Sequence, residues 1–513
     1  MKKRLLSLIL ALCIIISFSP STLAANLPEV DVRTEGLTPA QPQEAPAEKP
    51  RDAGAERRTI YVSNEGTEED DGATAETPTT LARATELANE GKKPVEIVVL
   101  GQVSVDTWTS PTVETTLRGG DENAELLFEY CSASDGAYNI SLADALTIDD
   151  IKFNCNYTDY FFSRYYGTYT IVANGYPLVI ASGVQCSYYT ADTIVDGKTC
   201  STSSCYVIGG GLDEDITGGT HVEIYTSLPL TYVYGGGVNG SVESNVYLHI
   251  ENCGKIQHVR AGGYANKKDA KVNGNITLDF INSVTDNPIY GGGYARSSYS
   301  AEVTGSICIN LSGLNNGFGR PIYGGGYGKN APVVGNIRFN ISNTKMNNNA
   351  AAIYGGGYNS DVTGDIFIHI KENSLISEET VWGGGTGDST ITGGVTITVD
   401  DSSEVIGEIR AGGNEGADVI GDVVITVSGG PQSACPTIFA TGKGEDKDNP
   451  AQVDGNVSIT LHGSRANVYT LDKFGEVTSD HAVTIILDDT DELSGAVRGD
   501  SKLGQHLYNY EKN

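Results

Sequence analysis

Carboxylates, imidazoles and phenols at regular intervals are the groups in this chain that could do chemistry, and their spacing restricts which chemistry. One alternating row reads Glu223, His249, Asp279, Asn310, Asn340, His369, Thr398, Thr426 and Thr460. A neighbouring row reads His221, Tyr247, Thr277, Cys308, Arg338, Phe367, Thr396, Val424 and Ser458. Hydrolysis of a glycosidic bond needs two carboxyl groups ~5–9 Å apart. Neither row offers such a pair on adjacent repeats. His249 and Asp279 stand one repeat apart and are expected within reach of each other, with a solvated ladder as the plainer account.

The densest aromatic cluster is Tyr157, Tyr160, Phe161, Phe162, Tyr165, Tyr166 and Tyr169, with Asp149 and Asp150 just before it. Flat rings with apolar faces and polar edges suit sugar stacking, although packing beneath a long loop would use the same residues. Arg260 replaces an aromatic residue of the repeat and lies near Lys267, Lys268 and Lys271, a basic island in an acidic chain. It could hold an acidic sugar or act as a base; charge balancing on a loop is the simpler reading. The acidic runs Glu68-Glu69-Asp70-Asp71, Asp213-Glu214-Asp215 and Asp400-Asp401 could bind calcium, but none has the ligand spacing of a known loop. No other cofactor is expected. The cysteines show no CxxC or paired zinc spacing. Cys131, Cys155 and Cys186 are spaced by about one repeat, so Cys155 is expected to stack on one of the other two, and Cys200 and Cys205 to pair locally.

Repeats position these groups. Small-residue triplets begin at Gly209, Gly235, Ala261, Gly291, Gly324, Gly355, Gly383, Ala411 and Ala440, at spacings of 26 to 33 residues. Most follow an aliphatic and an aromatic residue, as in Ile289-Tyr290, Ile322-Tyr323, Ile353-Tyr354 and Val381-Trp382. Nine to twelve residues later comes a glycine and an alternating strand, such as Gly274-Asn275-Ile276-Thr277-Leu278-Asp279-Phe280. Period-two alternation puts Ile366, Ile368 and Ile370 on one face and Phe367 and His369 on the other. A unit of ~29 residues with two or three short strands cannot bury its apolar face alone, so it must stack on copies of itself as a solenoid. The aromatic before each triplet is then expected to stack on its equivalents one coil away. The glycines suit corners that need positive φ or close backbone approach.

The first 25 residues carry Lys2, Lys3 and Arg4, an apolar run from Leu5 to Phe18 and small residues around Ala24, the pattern of a secretory signal peptide. Its removal leaves 31 Lys and Arg against 65 Asp and Glu, a charge of −34. Such a balance argues against nucleic-acid binding through phosphates. No other apolar stretch is long enough to span a bilayer. Glycine, at 63 of 513 residues, follows no three-residue period, which excludes collagen.

At the other side of the leader, Thr77 is the expected N-cap, Pro78 the first helical residue and Gly91 the stop of a helix with the stripe Leu81, Ala84, Leu87 and Ala88. Strands Thr59–Val62 and Val95–Leu100 flank it. This order resembles the capped start of a right-handed parallel β-helix of the pectin-lyase-like superfamily, and residues 145–153 resemble one of its regular coils. The Tyr-Gly-Gly-Gly-Tyr repeats look more like surface proteins of Gram-positive bacteria than like the lyases.

The expected organisation is a signal peptide (1–25), a Pro/Glu/Ala-rich disordered leader (26–57), an N-terminal cap with the first strands (58–110), irregular coils (111–205), Gly-rich repeat coils (206–470) and a C-terminal coil or cap (471–513). The fold is all-β, with ~15 coils in a rod of roughly 70 Å. The expected function is that of a secreted, adhesin-like monomer. It would bind glycans or cell-surface polysaccharide without catalysis, through Asp149, Asp150, Arg260 and the aromatic cluster. A polysaccharide lyase or glycoside hydrolase, and a purely structural spacer, are the alternatives.

Overall fold

The computed structural model describes residues 57–128, residues 138–487 apart from short interruptions, and the strands Glu492–Leu493 and Asn509–Lys512. Among them the chain forms an all-β parallel solenoid of about 29 residues per turn with one helix. Sixteen described strands pair in parallel into a first wall and fourteen into a second, while six short ones form part of a third. Each coil gives one strand to the first wall, so its sixteen described strands agree with the ~15 coils expected, about 11 of them forming the regular solenoid. Before Val246 the first-wall strands start 20 to 42 residues apart, so the early coils do not keep the period.

A regular coil shows how the sequence becomes the wall. In Ile276–Ile281, Ile276, Leu278 and Phe280 point inward and are fully buried, while Thr277, Asp279 and Ile281 remain half-exposed. Each buried side chain of this kind is worth ~1.5–3 kcal/mol, which a single coil cannot collect. The chain then crosses to Ile289–Tyr290 in the second wall, turns through the glycine triplet into Tyr294–Ala295, pairs Val303 with Val272 and Val333, and returns as Ile307–Ser312. Register is strict: Asp279 lies between His249 and Asn310, and Thr277 between Tyr247 and Cys308. Both outward rows are therefore physical columns.

Close approach, not positive φ, explains the triplets. A Cβ on Gly326 would meet the Ala331 carbonyl oxygen at 2.3 Å and that of Gly293 at 2.7 Å. The third triplet position is glycine in all nine repeats, whereas the first is alanine at 261, 411 and 440 although a Cβ on Gly324 would lie equally close, 2.3 Å, to the Gly355 carbonyl oxygen. A second device sits at the start of each long strand. There an Asn or Asp side chain accepts the backbone N–H of its equivalent one coil on: Asn245 from Asn275 (2.9 Å), Asn275 from Ser306 (2.8 Å), Asn336 from Asp365 (2.8 Å) and Asp365 from Gly394 (2.8 Å). The ladder satisfies donors that the corner would otherwise leave without acceptors.

The cap helix spans Leu81–Gly91 and buries Leu81, Ala84, Leu87 and Ala88 as expected. Its N-cap, however, is Thr80, whose hydroxyl accepts the Arg83 N–H at 3.1 Å. Thr77 instead closes a turn with Thr74, because the next residues are drawn into the sheet: Thr79 is fully buried, bridges to Val62 and donates to the Thr67 carbonyl at 2.8 Å. Tertiary pairing overrides the local capping signal. The expectation for Cys155 and Cys186 also changes. Cys186 pairs with Phe153, so Cys155 is two residues out of register and about 8 Å away, beyond disulfide reach. Cys131 lies outside the described residues, and Cys200 and Cys205 belong to different sheets.

Candidate functional site

Of the aromatic cluster, Tyr157, Phe161 and Phe162 lie outside the described residues, and only the backbones of Tyr160, Tyr165 and Tyr166 are described. Those backbones belong to a small side sheet. Thr158–Tyr160 pairs antiparallel with Arg164–Tyr166, which runs parallel to Lys198–Cys200. Tyr169 is fully buried, stacked on Phe128 at 4.5 Å and edge-on to Phe153 at 5.6 Å, so it is a core residue. Asp149 ends the strand Leu146–Asp149, and its Oδ1 accepts the N–H of Asp150, which holds a left-handed φ of 45°. That is turn geometry, between the strands Leu146–Asp149 and Lys152–Cys155.

On the first wall the outward columns bring together more groups than the sequence suggested. His221 bonds Glu223 at 2.6 Å and the Tyr225 hydroxyl donates to the same carboxylate at 2.8 Å. One coil on, His249 lies 3.4 Å from Asp279 through Nδ1 and 3.2 Å from Glu251 through Nε2. Asp279 also accepts from the Tyr247 hydroxyl (2.9 Å) and from Asn310 Nδ2 (2.6 Å), and Asn310 accepts from Asn340 (2.7 Å). The His221 ring packs 4.7 Å from Tyr247 and His249 5.1 Å from Tyr225. Hydrogen bonding from His221 holds the Glu223 carboxyl below its usual range. Burial alone would raise Asp279, but His249, Asn310 and Tyr247 outweigh it and its pKa falls. For His249 burial opposes the charge, and Asp279 and Glu251 overcome it, so its pKa rises. The carboxylates of Glu223 and Asp279, both held below their usual range, flank the imidazole of His249, whose pKa is raised, and the three form a strap across coils. With both acids held ionised, neither can donate a proton to a leaving group near neutral pH.

The second wall carries the tyrosines. Tyr290, Tyr323, Tyr354 and Trp382 stack in one column with centroids 5.1, 4.7 and 5.8 Å apart. After each triplet the chain returns a second ring, and Tyr294, Tyr327 and Tyr358 stack at 4.2 and 5.1 Å. The two columns meet edge to face, as Tyr290 does with Tyr294 (75°) and Tyr323 with Tyr358 (88°). Ring faces are thus spent on one another. Arg260 and Arg410 bracket the first column in register. Arg260 ends a strand and is buried among tyrosines, so the loop charge-balancing reading does not apply to it.

Among the described residues no three His, Cys, Asp or Glu side chains converge on a metal-ion position, and no helix is long and apolar enough to cross a membrane. Compared with family models, curated proteins and solved structures, the chain matches none. Reasoning from the sequence missed Tyr225 and Glu251 in the first-wall strap. Both follow the period-two signal, lying two residues beyond Glu223 and His249.

Proposed function

We propose that this is an extracellular, adhesin-like solenoid that binds carbohydrate along its walls without turning it over. One observation carries the reading: the Asp279 carboxylate on the outward face is occupied by His249, Tyr247 and Asn310 and held ionised. A carboxylate so occupied is unavailable as a general acid, which supports display over turnover on this face. Secretion is supported by the basic, apolar and small-residue succession of residues 1–25. The likeness of the helix-capped first coils to pectin-lyase-like proteins, and of the Tyr-Gly-Gly-Gly-Tyr repeats to Gram-positive surface proteins, fits the same reading. The test is a glycan array and a polysaccharide-cleavage screen on the chain lacking its first 25 residues, with and without calcium. Binding without products is expected; release of oligosaccharides would overturn it.

A further inference from the structure

Arg260 closes the strand Ile256–Arg260 and is only 5% exposed. Its Nη1 donates to the Tyr234 hydroxyl at 3.1 Å. Nε is buried without a hydrogen-bond partner, and among the described residues no carboxylate forms an ion pair with this guanidinium. The side-on edge formed by Nε and Nη2, the fork that grips two oxygens of one oxyanion, has no acceptor there. Four rings partly compensate the charge, with the guanidinium carbon 3.5 Å from the centroid of Tyr294, 5.0 Å from Tyr264, 5.2 Å from Tyr232 and 5.4 Å from Tyr234. Rings cannot replace an acceptor for a buried N–H.

The same column shows what a satisfied arginine looks like here. Arg410, 4% exposed, bonds Glu408 through Nε at 2.8 Å and Asp472 through Nη1 at 2.6 Å. Nothing equivalent reaches Arg260, and its surroundings add positive charge. Arg296 supplies that charge, 5.7 Å from the Tyr294 ring, while His258, stacked on Tyr232 at 4.4 Å, is kept neutral, pushed down to about 4 by burial and by the charges of Arg260 and Arg296. In a chain of net charge −31 this is an electropositive spot with an unfilled fork.

We propose that Arg260 anchors a site for an oxyanion, a carboxylate or sulfate carried on a sugar, bordered by the half-buried rims of Tyr232 and Tyr264. The proposal rests on the carbohydrate-binding reading above and assigns it a residue. Because Nε is covered, the ligand enters by displacing one of those rims.

Calorimetric titration of the full chain with sodium sulfate, glucuronate, glucose 6-sulfate and glucose tests it, on the parent protein and on Arg260→Gln and Arg260→Lys. Both acidic sugars are expected to bind and glucose not. Arg260→Lys, a point charge without a fork, should weaken binding at least about tenfold, and Arg260→Gln should abolish it. Near-UV circular dichroism of the tyrosines establishes that each variant is folded, and Arg260→Lys keeps the test valid if Arg260→Gln is not. Equal binding to folded Arg260→Gln, or no oxyanion binding to the parent, overturns the site. Loss of sulfate binding in Arg260→Gln while no arrayed glycan binds would keep the anchor and sink the carbohydrate reading. Array binding indifferent to Arg260→Gln would do the reverse.

Discussion

Arg260 and Arg410 occupy the same register position of the second wall, one at each end of the run Tyr290, Tyr323, Tyr354, Trp382. Among the described residues only Arg410 of the two has carboxylate partners, Glu408 and Asp472. Removing one partner of a buried pair leaves the other charge uncompensated, which is costly, although Glu408 is 41% exposed and so partly solvated. Arg410→Met is therefore expected to cost about 2 kcal/mol. Arg260→Met gives up the ring contacts and the Tyr234 hydrogen bond but also removes a buried Nε that has no acceptor, and should cost less than about 1 kcal/mol. Urea midpoints of the two variants decide the matter; equal losses would mean that Arg260 is already compensated within the fold.

Glycine at the third triplet position is a steric requirement. Gly326→Ala would drive a methyl group into the Ala331 carbonyl oxygen at 2.3 Å, and that oxygen is backbone that cannot swing aside. At Gly218 nothing lies within 4 Å. Gly326→Ala should cost more than about 2 kcal/mol, and Gly218→Ala should be neutral or slightly stabilising. Thermal unfolding of the pair measures this. A harmless Gly326→Ala would show that the corner can yield to admit a methyl group.

Much of this fold could be read before any coordinates, because stacking converts a linear period into columns. Once Ile276, Leu278 and Phe280 face inward, the partners of Asp279 follow from counting one repeat in each direction, and His249 and Asn310 stand where counting puts them. What stayed hidden depends on neighbours that counting does not supply. Asp472 reaches Arg410 from two coils on. The Asn275 side chain looks like turn chemistry until the N–H of Ser306 is seen above it. Thr77 and Thr80 are equally good caps locally, and the buried pairing of Thr79 decides between them.

The first-wall strap makes stability pH-dependent from both sides. Glu223 and Asp279 are held below their ordinary values, so their contribution is present above their unfolded pKa near 4 and lost as pH falls through the folded one. His249 is raised, so its contribution is full below about pH 6.5 and lost as pH rises through the folded value. Urea midpoints of the parent protein should decline above about pH 6.5, and His249→Gln should remove that decline while shrinking the acid-side one to the part that Glu223, held by His221, still supplies. Identical profiles above neutrality would exclude His249 as the source.

Tyr323 sits at the centre of the aromatic array, stacked on Tyr290 at 5.1 Å and Tyr354 at 4.7 Å and met edge-on by Tyr358. Its loss breaks the column in the middle, whereas the inward Ile322 beside it stays in the main core. Tyr323→Leu keeps the volume roughly filled but removes three ring contacts at ~0.5–1.5 kcal/mol each, so a loss of about 2–3 kcal/mol is expected. Because each coil rests only on its neighbours, the weakness should be local. Amide exchange should quicken in Ile307–Ser312 and Ile337–Ser342, which flank this coil on the first wall, and stay unchanged in Val95–Val99 of the cap. Uniform acceleration along the whole rod would instead mean that the stack unfolds as one unit, and the nearest-neighbour account of its stability would fail.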